Sequence, residues 1–359
     1  MNAALIPPNP DHLNNKIFYK KYHRDNGNVF FQNLKDSLLT KGISLNTIDF
    51  YDNEKKIDFV LFFRLENQVS FIKNILLRNN NTKFIYFAME PPNIAKTHTF
   101  YFLKNWKFDR IFTWNDDLII GDITKTLFYS QDLDFVNVSF KQFKQKKRKI
   151  AAIFSYKKSN NTKSNYTQRI NLIKKLASYN LIDLYGYGWE NCEDPIIRKI
   201  YKGQAVSKSD VLNRYMFCLA MENSCYKNYI TEKILDPISI GSFPIYFGAP
   251  NIYEFFSKNL VMNSINSDEI ELFINNFNDQ SIEEFLISRN SYILDFKNSH
   301  FNAKKQTDYI ADELIVLKNK VKRNKMHLIK IFVTSLRVRS ILEIKRYYWE
   351  LLITILKIK

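Results

Sequence analysis

The sequence predicts an α/β fold: two Rossmann-like domains facing each other across a cleft, followed by a C-terminal amphipathic helical tail. Three observations carry this expectation. Short apolar runs alternate with segments of helical periodicity, the order that winds a mainly parallel sheet. A chain of 359 residues is long enough for about two domains of ordinary size. From Val321 onward the strand-like runs stop, and ten Lys and Arg stand against two Glu in the last ninth of the chain.

Taken in order, Ile57–Phe63, Lys83–Ala88 and Arg110–Trp114 read as buried strands, with helical spacing over Val69–Leu77 between the first two. The basic run Lys144–Lys149 (KQKKRK) is polar and precedes a fresh strand, Ile150–Phe154. The domain boundary is therefore placed there, giving 1–148, 149–320 and a tail of 321–359. In the second domain Thr167–Ser178 reads as a helix, Leu181–Leu184 as a strand, and Ser207–Arg214 as a helix opened by Ser207 and Asp210. Strand Met216–Met221, helix Ile230–Ile240 and strand Phe243–Phe247 follow, then a short strand at Leu260–Met262. Ser267 caps a helix through Phe277, and Ile282–Phe296 is a longer one. In the tail Ile329, Val333, Leu336, Ile344, Tyr348, Leu351 and Ile355 share one helical face, with Arg339, Lys345, Arg346 and Lys357 on the other. Such a helix suits the interface of an anionic membrane, or packing against the catalytic domains or against a second subunit in a homodimer.

Hydrophobic residues make up 45% of the chain and aromatics 15%, with only 8 Gly and 9 Pro, which excludes a fibrous or linker-rich protein. The net charge of +17 calls for anionic partners: a nucleotide diphosphate, a membrane surface or nucleic acid. Against nucleic acid, the basic residues show no aromatic-interleaved recognition pattern. Cys192, Cys218 and Cys225 and the five histidines have no metal-ligand spacing, and a small, odd cysteine count suits a reducing compartment. The N-terminal MNAALIPPNPDHLNN lacks the basic and apolar regions of a signal peptide. No run reaches the roughly eighteen apolar residues that span a bilayer. A cytoplasmic chain, peripheral on the inner membrane through its tail, is expected.

The most informative stretch is Phe217–Pro250, FCLAMENSCYKNYITEKILDPISIGSFPIYFGAP. One apolar strand, a polar loop, a helix and a second apolar strand bring Glu222, Asn223, Tyr229, Glu232 and Lys233 to the loop and the helix start. Backbone N–H groups and the positive end of a helix dipole favour phosphate at such a place. Lys233 lies in the first turn, in reach of a pyrophosphate, and Glu232 beside it has acceptor oxygens for two ribose hydroxyls. The run is similar to the signature of the α1,3/4-fucosyltransferases, glycosyltransferase family 10, of bacterial type.

That resemblance implies the GT-B arrangement of the two domains, GDP-fucose as donor substrate, and no required cofactor or metal. Residue by residue it implies that Glu232 holds the ribose, Lys233 the phosphates, and Asn223 and Tyr229 the fucose–nucleotide region. Glu222, in the ENS element, is expected to contact the sugar. Arg169, in the helix after the first strand of the second domain, resembles the family's phosphate-binding arginine. Tyr187, within Tyr185-Gly186-Tyr187-Gly188-Trp189, resembles its glycine-containing turn beside the nucleotide. A plain surface arginine and a simple tight turn are the competing readings of those two.

Transfer from a nucleotide sugar with inversion needs a base for the attacking hydroxyl. Glu90 follows strand Lys83–Ala88 and precedes Pro91-Pro92, so it stands at a strand's C-terminal end, where open α/β sheets bind ligands. Apolar surroundings there are expected to raise its pKa. The family has its general base in a similar strand–Glu–Ser/Pro–Pro context, which makes Glu90 the catalytic candidate. Asp132-Leu133-Asp134 matches the DxD pattern of metal-dependent transferases, but three residues are common by chance and no metal ligands are expected. The resemblance thus implies an inverting enzyme moving L-fucose from GDP-fucose to a glycan acceptor, α1,3 or α1,4 on GlcNAc or Glc of a surface glycan such as lipopolysaccharide O-antigen. Another GDP-sugar as donor, or a basic nucleic-acid-binding protein, are the alternatives.

Overall fold

A computed structural model describes residues 1–23, 26–51, 56–63, 81–95, 97–100, 103–104, 108–157 and 164–318. The chain forms two compact units: Met1–Leu127 together with Ala303–Lys359, and Phe128–Asn302.

The first unit holds a six-stranded sheet of β1 (Asn2–Ile6), β2 (Ser44–Thr47), β3 (Phe59–Phe62), β4 (Lys83–Ala88), β5 (Arg110–Thr113) and β6 (Thr124–Thr126). Their order is β2-β1-β3-β4-β5-β6, with every pairing parallel. Strands β3, β4 and β5 are buried at every position, which is why they read as continuous apolar runs without alternation. Helix Val29–Thr40 lays Leu34 and Leu38 against Ile310, Ala311, Leu314 and Leu317 of helix Ala303–Lys318. Ser37 and Thr307 hydroxyls meet at 3.0 Å between those helices, and Arg110 of β5 pairs with Glu313 at 2.8 Å.

The second unit holds five parallel strands, β7 (Lys147–Ile153), β8 (Ile182–Tyr185), β9 (Tyr215–Met221), β10 (Phe243–Phe247) and β11 (Met262–Asn263), in the order β11-β10-β9-β7-β8. Chain order reverses between β7 and β9, so the crevice at their C-terminal ends is the topological switch point where such sheets bind ligands. Helices Tyr166–Ser178, Glu232–Ile240, Ser267–Asn276 and Asp279–Asp295 cover the sheet.

The units divide at places other than the expected 148/149 and 320/321. Phe128, Val138 and Phe143 lie in the second unit's core, so the connection falls before them. The Lys144–Lys149 run is no linker: Lys146 is buried, Lys147 opens β7, and the Arg148 guanidinium donates to the Ile274 and Asn275 carbonyls. At the other end the apolar face of Ala303–Lys318 belongs to the first unit's core. The expected helix at Val69–Leu77 and the tail of 321–359 lie outside the described residues. Among the described residues no helix is long and apolar enough to cross a membrane.

Candidate functional site

Central strand β9 is buried along its whole length and delivers Glu222 at its C-terminal end. The Glu222 amide donates to the Phe247 carbonyl at 2.8 Å, continuing the β9–β10 ladder by one rung. Its side chain is fully buried. Oε1 accepts from the Thr231 amide (2.8 Å), and both carboxylate oxygens lie within 2.9 Å of the Thr231 hydroxyl. Lys233 Nζ completes the set, 3.2 Å from Oε2. The backbone at Gly248 closes on this carboxylate: a Cβ there would stand 2.5 Å from Glu222 Cγ and 2.5 Å from the Tyr246 hydroxyl. Only glycine allows that approach.

The Glu222–Thr231 clasp shapes the helix that follows. Thr231 occupies the N-cap in an extended conformation, yet its side chain caps no N–H of the first turn, because the hydroxyl is engaged by Glu222. Helix Glu232–Ile240 therefore starts two residues later than the periodicity suggested, and its N-cap side chain is turned away from the first-turn N–H groups. Such groups and the positive dipole end attract anions. Lys233 sits in that turn, its Nζ 3.0 Å from Thr231 Oγ1 and 3.2 Å from Glu232 Oε1. Glu232 keeps about a third of its side chain in solvent and Lys233 about a fifth.

Electrostatics follow from this packing. Burial pushes the Glu222 carboxyl above the usual range, against the pull of Lys233, and the Glu232 charge adds to the push. Burial also works against the Lys233 ammonium, but Glu222 and Glu232 override it and raise its pKa. For Glu232, burial is more than offset by Lys233 and Lys208, which hold the carboxyl at about 2. Lys233 is thus held as a cation between the Glu222 and Glu232 carboxyl groups.

Arg169, in the helix after β7, is buried rather than on the surface. Its Nη2 donates to the Met221 carbonyl at 2.8 Å, the Glu222 carbonyl at 3.2 Å and Asn223 Oδ1 at 3.3 Å. The guanidinium lies 4.1 Å from the centre of the Phe154 ring, and burial lowers its pKa to about 10. Nε is buried with no hydrogen-bond partner among the described residues, leaving a donor for a ligand atom. The arginine therefore fastens the end of β9 and keeps one N–H in reserve. Asn165 joins it: its Nδ2 donates to the Glu222 carbonyl at 3.1 Å, and its amide to the Asn223 carbonyl at 2.9 Å.

The structure thus brings Arg169, Glu222, Asn223, Glu232 and Lys233 together at the switch point. Tyr229 stands differently. Its ring is 1% exposed and meets Tyr129 edge-on with centroids 5.9 Å apart, so it forms part of the wall under the loop. Tyr187 is 45% exposed, in the turn after β8. Gly186 there has φ +131° and would set a Cβ 1.9 Å from the Phe154 carbonyl oxygen, so this turn closes on the end of β7 and needs its glycine. Glu90 belongs to the other unit, at the end of β4, where His98 Nδ1 donates to its carbonyl at 2.7 Å. It is exposed rather than enclosed by the expected apolar side chains. Asp132 and Asp134 are both exposed, and among the described residues no group of three His, Cys, Asp or Glu could hold a metal ion.

Sequence reasoning missed Thr231 and Asn165. Thr231 lies inside the quoted run, but its role shows only when Glu222 folds back across nine residues. Asn165 stands outside any motif and carries no sequence signal.

Comparison with known proteins falls on this unit. Residues 143–266 match the family model "Glycosyltransferase family 10 (fucosyltransferase) C-term", a span that holds Arg169, Tyr187, Glu222, Asn223, Tyr229, Glu232 and Lys233 but not Glu90. A GDP-fucose protein O-fucosyltransferase 3 of Xenopus laevis is 32% identical over 96 residues, 26% of this chain and 20% of that protein. An alpha-(1,3)-fucosyltransferase B of Drosophila melanogaster is 33% identical over 122 residues, 33% of this chain and 26% of that one. The match therefore spans about a fifth to a quarter of these relatives' length. Among solved structures, an alpha1,3-fucosyltransferase with GDP-fucose is 14% identical with a TM-score of 0.51, covering 90% of this chain and 92% of that chain. WaaG, a glycosyltransferase involved in lipopolysaccharide biosynthesis, is 10% identical with a TM-score of 0.50, covering 88% and 99%. At these identities the likeness shows the fold, which is GT-B. Over residues 143–266 the chain is similar to the C-terminal domain of glycosyltransferase family 10, the fucosyltransferases.

Proposed function

We propose that this chain is an inverting transferase that moves L-fucose from GDP-fucose to a sugar hydroxyl of a surface glycan, in α1,3 or α1,4 linkage. The observation that carries the reading is a coincidence of place: the family-10 match covers a cluster in the second unit where two carboxyl groups, a lysine and an arginine gather at a helix start that its N-cap side chain does not cap. Lys233 and the first-turn N–H groups receive the diphosphate, Arg169 Nε supplies a further donor, and Glu232 takes the ribose hydroxyls. As the C1–O bond to GDP breaks, negative charge grows on the leaving phosphate oxygen, and these donors stabilise it without reorganising. Glu90 takes the proton from the attacking hydroxyl while that oxygen forms the new bond to C1 from the opposite face. No metal is invoked in any of these steps. The basic tail serves in this reading to hold the chain at the inner face of a membrane.

A second acceptor class has support of its own, since several of the similar animal proteins are named protein O-fucosyltransferases. In that version the donor chemistry is unchanged and the hydroxyl belongs to Ser or Thr of a folded protein.

Calorimetric titration with GDP-fucose, GDP-mannose and UDP-galactose tests the donor, with Lys233→Ala as control. GDP-fucose binding that Lys233→Ala abolishes is the expected result; preference for GDP-mannose keeps the site and changes the sugar. Transfer of labelled fucose to N-acetyllactosamine or to a folded acceptor domain then separates the two acceptor classes. Glu90→Gln is expected to lower turnover about 10²–10⁴-fold with donor affinity unchanged, and an active Glu90→Gln protein removes Glu90 from the mechanism.

A further inference from the structure

We propose that Lys233 is handed between carboxylates when the donor binds: Glu222 is a permanent tether that positions the lysine, and Glu232 is a place-holder that the diphosphate displaces. This rests on the donor reading above. An ammonium group has three N–H donors and no more. Three acceptors already surround Nζ: Thr231 Oγ1 at 3.0 Å, Glu232 Oε1 at 3.2 Å and Glu222 Oε2 at 3.2 Å. No donor remains for a phosphate oxygen, so one of the three acceptors must leave.

Burial decides which. Glu222 is 0% exposed and Glu232 34%. Releasing Glu222 would leave a fully buried acidic group without its cation, the costliest way to break an ion pair. The Gly248 backbone also packs closely on its side chain, since a Cβ there would stand 2.5 Å from Glu222 Cγ. Thr231 is held by both Glu222 oxygens and by its own amide. Glu232 alone among the three can turn its oxygens to water, and a partly exposed pair is weak. Its departure has a second effect: the carboxylate freed from Lys233 becomes available to the ribose hydroxyls. Arrival of the diphosphate and capture of the ribose are then one event, and a bare phosphate ligand obtains only half of it.

The test titrates inorganic pyrophosphate and GDP into the full chain and into Glu222→Gln, Glu232→Gln and Thr231→Val. Glu232→Gln is expected to bind pyrophosphate about two- to fivefold tighter, with a smaller gain or a loss for GDP. Glu222→Gln is expected to bind pyrophosphate at least about tenfold more weakly, although it too removes a negative charge. The opposite signs matter, because a simple charge effect makes both amides bind more tightly. Thr231→Val alters no charge and is expected to weaken pyrophosphate binding as Glu222→Gln does, which keeps the test standing if Glu222→Gln does not fold. Tighter binding by Glu222→Gln, no gain in Glu232→Gln, or pyrophosphate that fails to compete with GDP overturns the handover. A wild-type chain that binds no GDP overturns the donor reading instead.

Discussion

The two ends of helix Glu232–Ile240 are finished in opposite ways. At the C-terminal end, Arg289 Nε donates to the Ile238 carbonyl at 2.6 Å, and its Nη2 to the Val136 and Ser239 carbonyls at 2.7 Å each. Lys146 Nζ adds a bond to the Gly241 carbonyl at 2.8 Å. Both cations are buried, and their contacts are carbonyls. Burial lowers Arg289 to about 10, and burial with the neighbouring Arg289 charge lowers Lys146 to about 8. At the N-terminal end the Thr231 side chain caps no N–H of the first turn, and Glu232 and Lys233 are partly wet while Glu222 is buried. The difference teaches how one helix can be both anchored and receptive. The C-terminal end has its orphan carbonyls satisfied by buried cations, and the end at the switch point has no N-cap side chain on its N–H groups.

The comparison breaks most easily at Arg289. Arg289→Leu removes three hydrogen bonds to the Ile238, Val136 and Ser239 carbonyls and is expected to cost about 3 kcal/mol of stability, read by denaturant unfolding, while GDP affinity of the folded protein changes less than about threefold. A large loss of affinity at full folding would show that the ends do not act separately. Gly248→Ala sharpens the other side. Its Cβ would collide with Glu222 and Tyr246, so a loss of about 1–3 kcal/mol should come with weakened GDP binding; an alanine that alters neither measurement contradicts the close packing. The smallest effect concerns acid. Glu232 titrates at about 2 in the fold against 4.5 when unperturbed, so its contribution is complete above about pH 4.5 and is lost as pH falls toward 2. Glu232→Gln should flatten that part of the stability–pH curve, only slightly because solvent screens the group.

Much of the second unit was readable before the fold was known. Strand Phe243–Phe247 was bounded as found, and the strand before the site differs by one residue, starting at Tyr215. Those strands are long, wholly buried and bracketed by polar loops, so their pattern has no rival. Strands β1 and β2 were not legible: NAALI is short and alanine-rich, and SLNT is half polar. The helix 303–318 was not assigned to the first unit, because its partner helix Val29–Thr40 lies far away in sequence and no local pattern links them. Within the site, residue types and spacing located the cluster but not its interior. A strand buried on both faces gives no alternation to say where a residue just past its end will point. Whether Glu222 meets a sugar or turns back to Thr231 was thus beyond the pattern, as was the inward set of Tyr229.

The chain leaves the first unit at Leu127 and returns to it at Ala303, and that return has a consequence for synthesis. A ribosome releases residues in order, so Phe128–Asn302 can collapse into a finished sheet while the earlier half still lacks Ile310, Leu314 and Leu317, which its apolar helix Val29–Thr40 requires. The part made first is completed last. Until those final turns emerge, the nascent N-terminal half presents an uncovered greasy flank, which makes the second unit, though later in the message, the natural first folder.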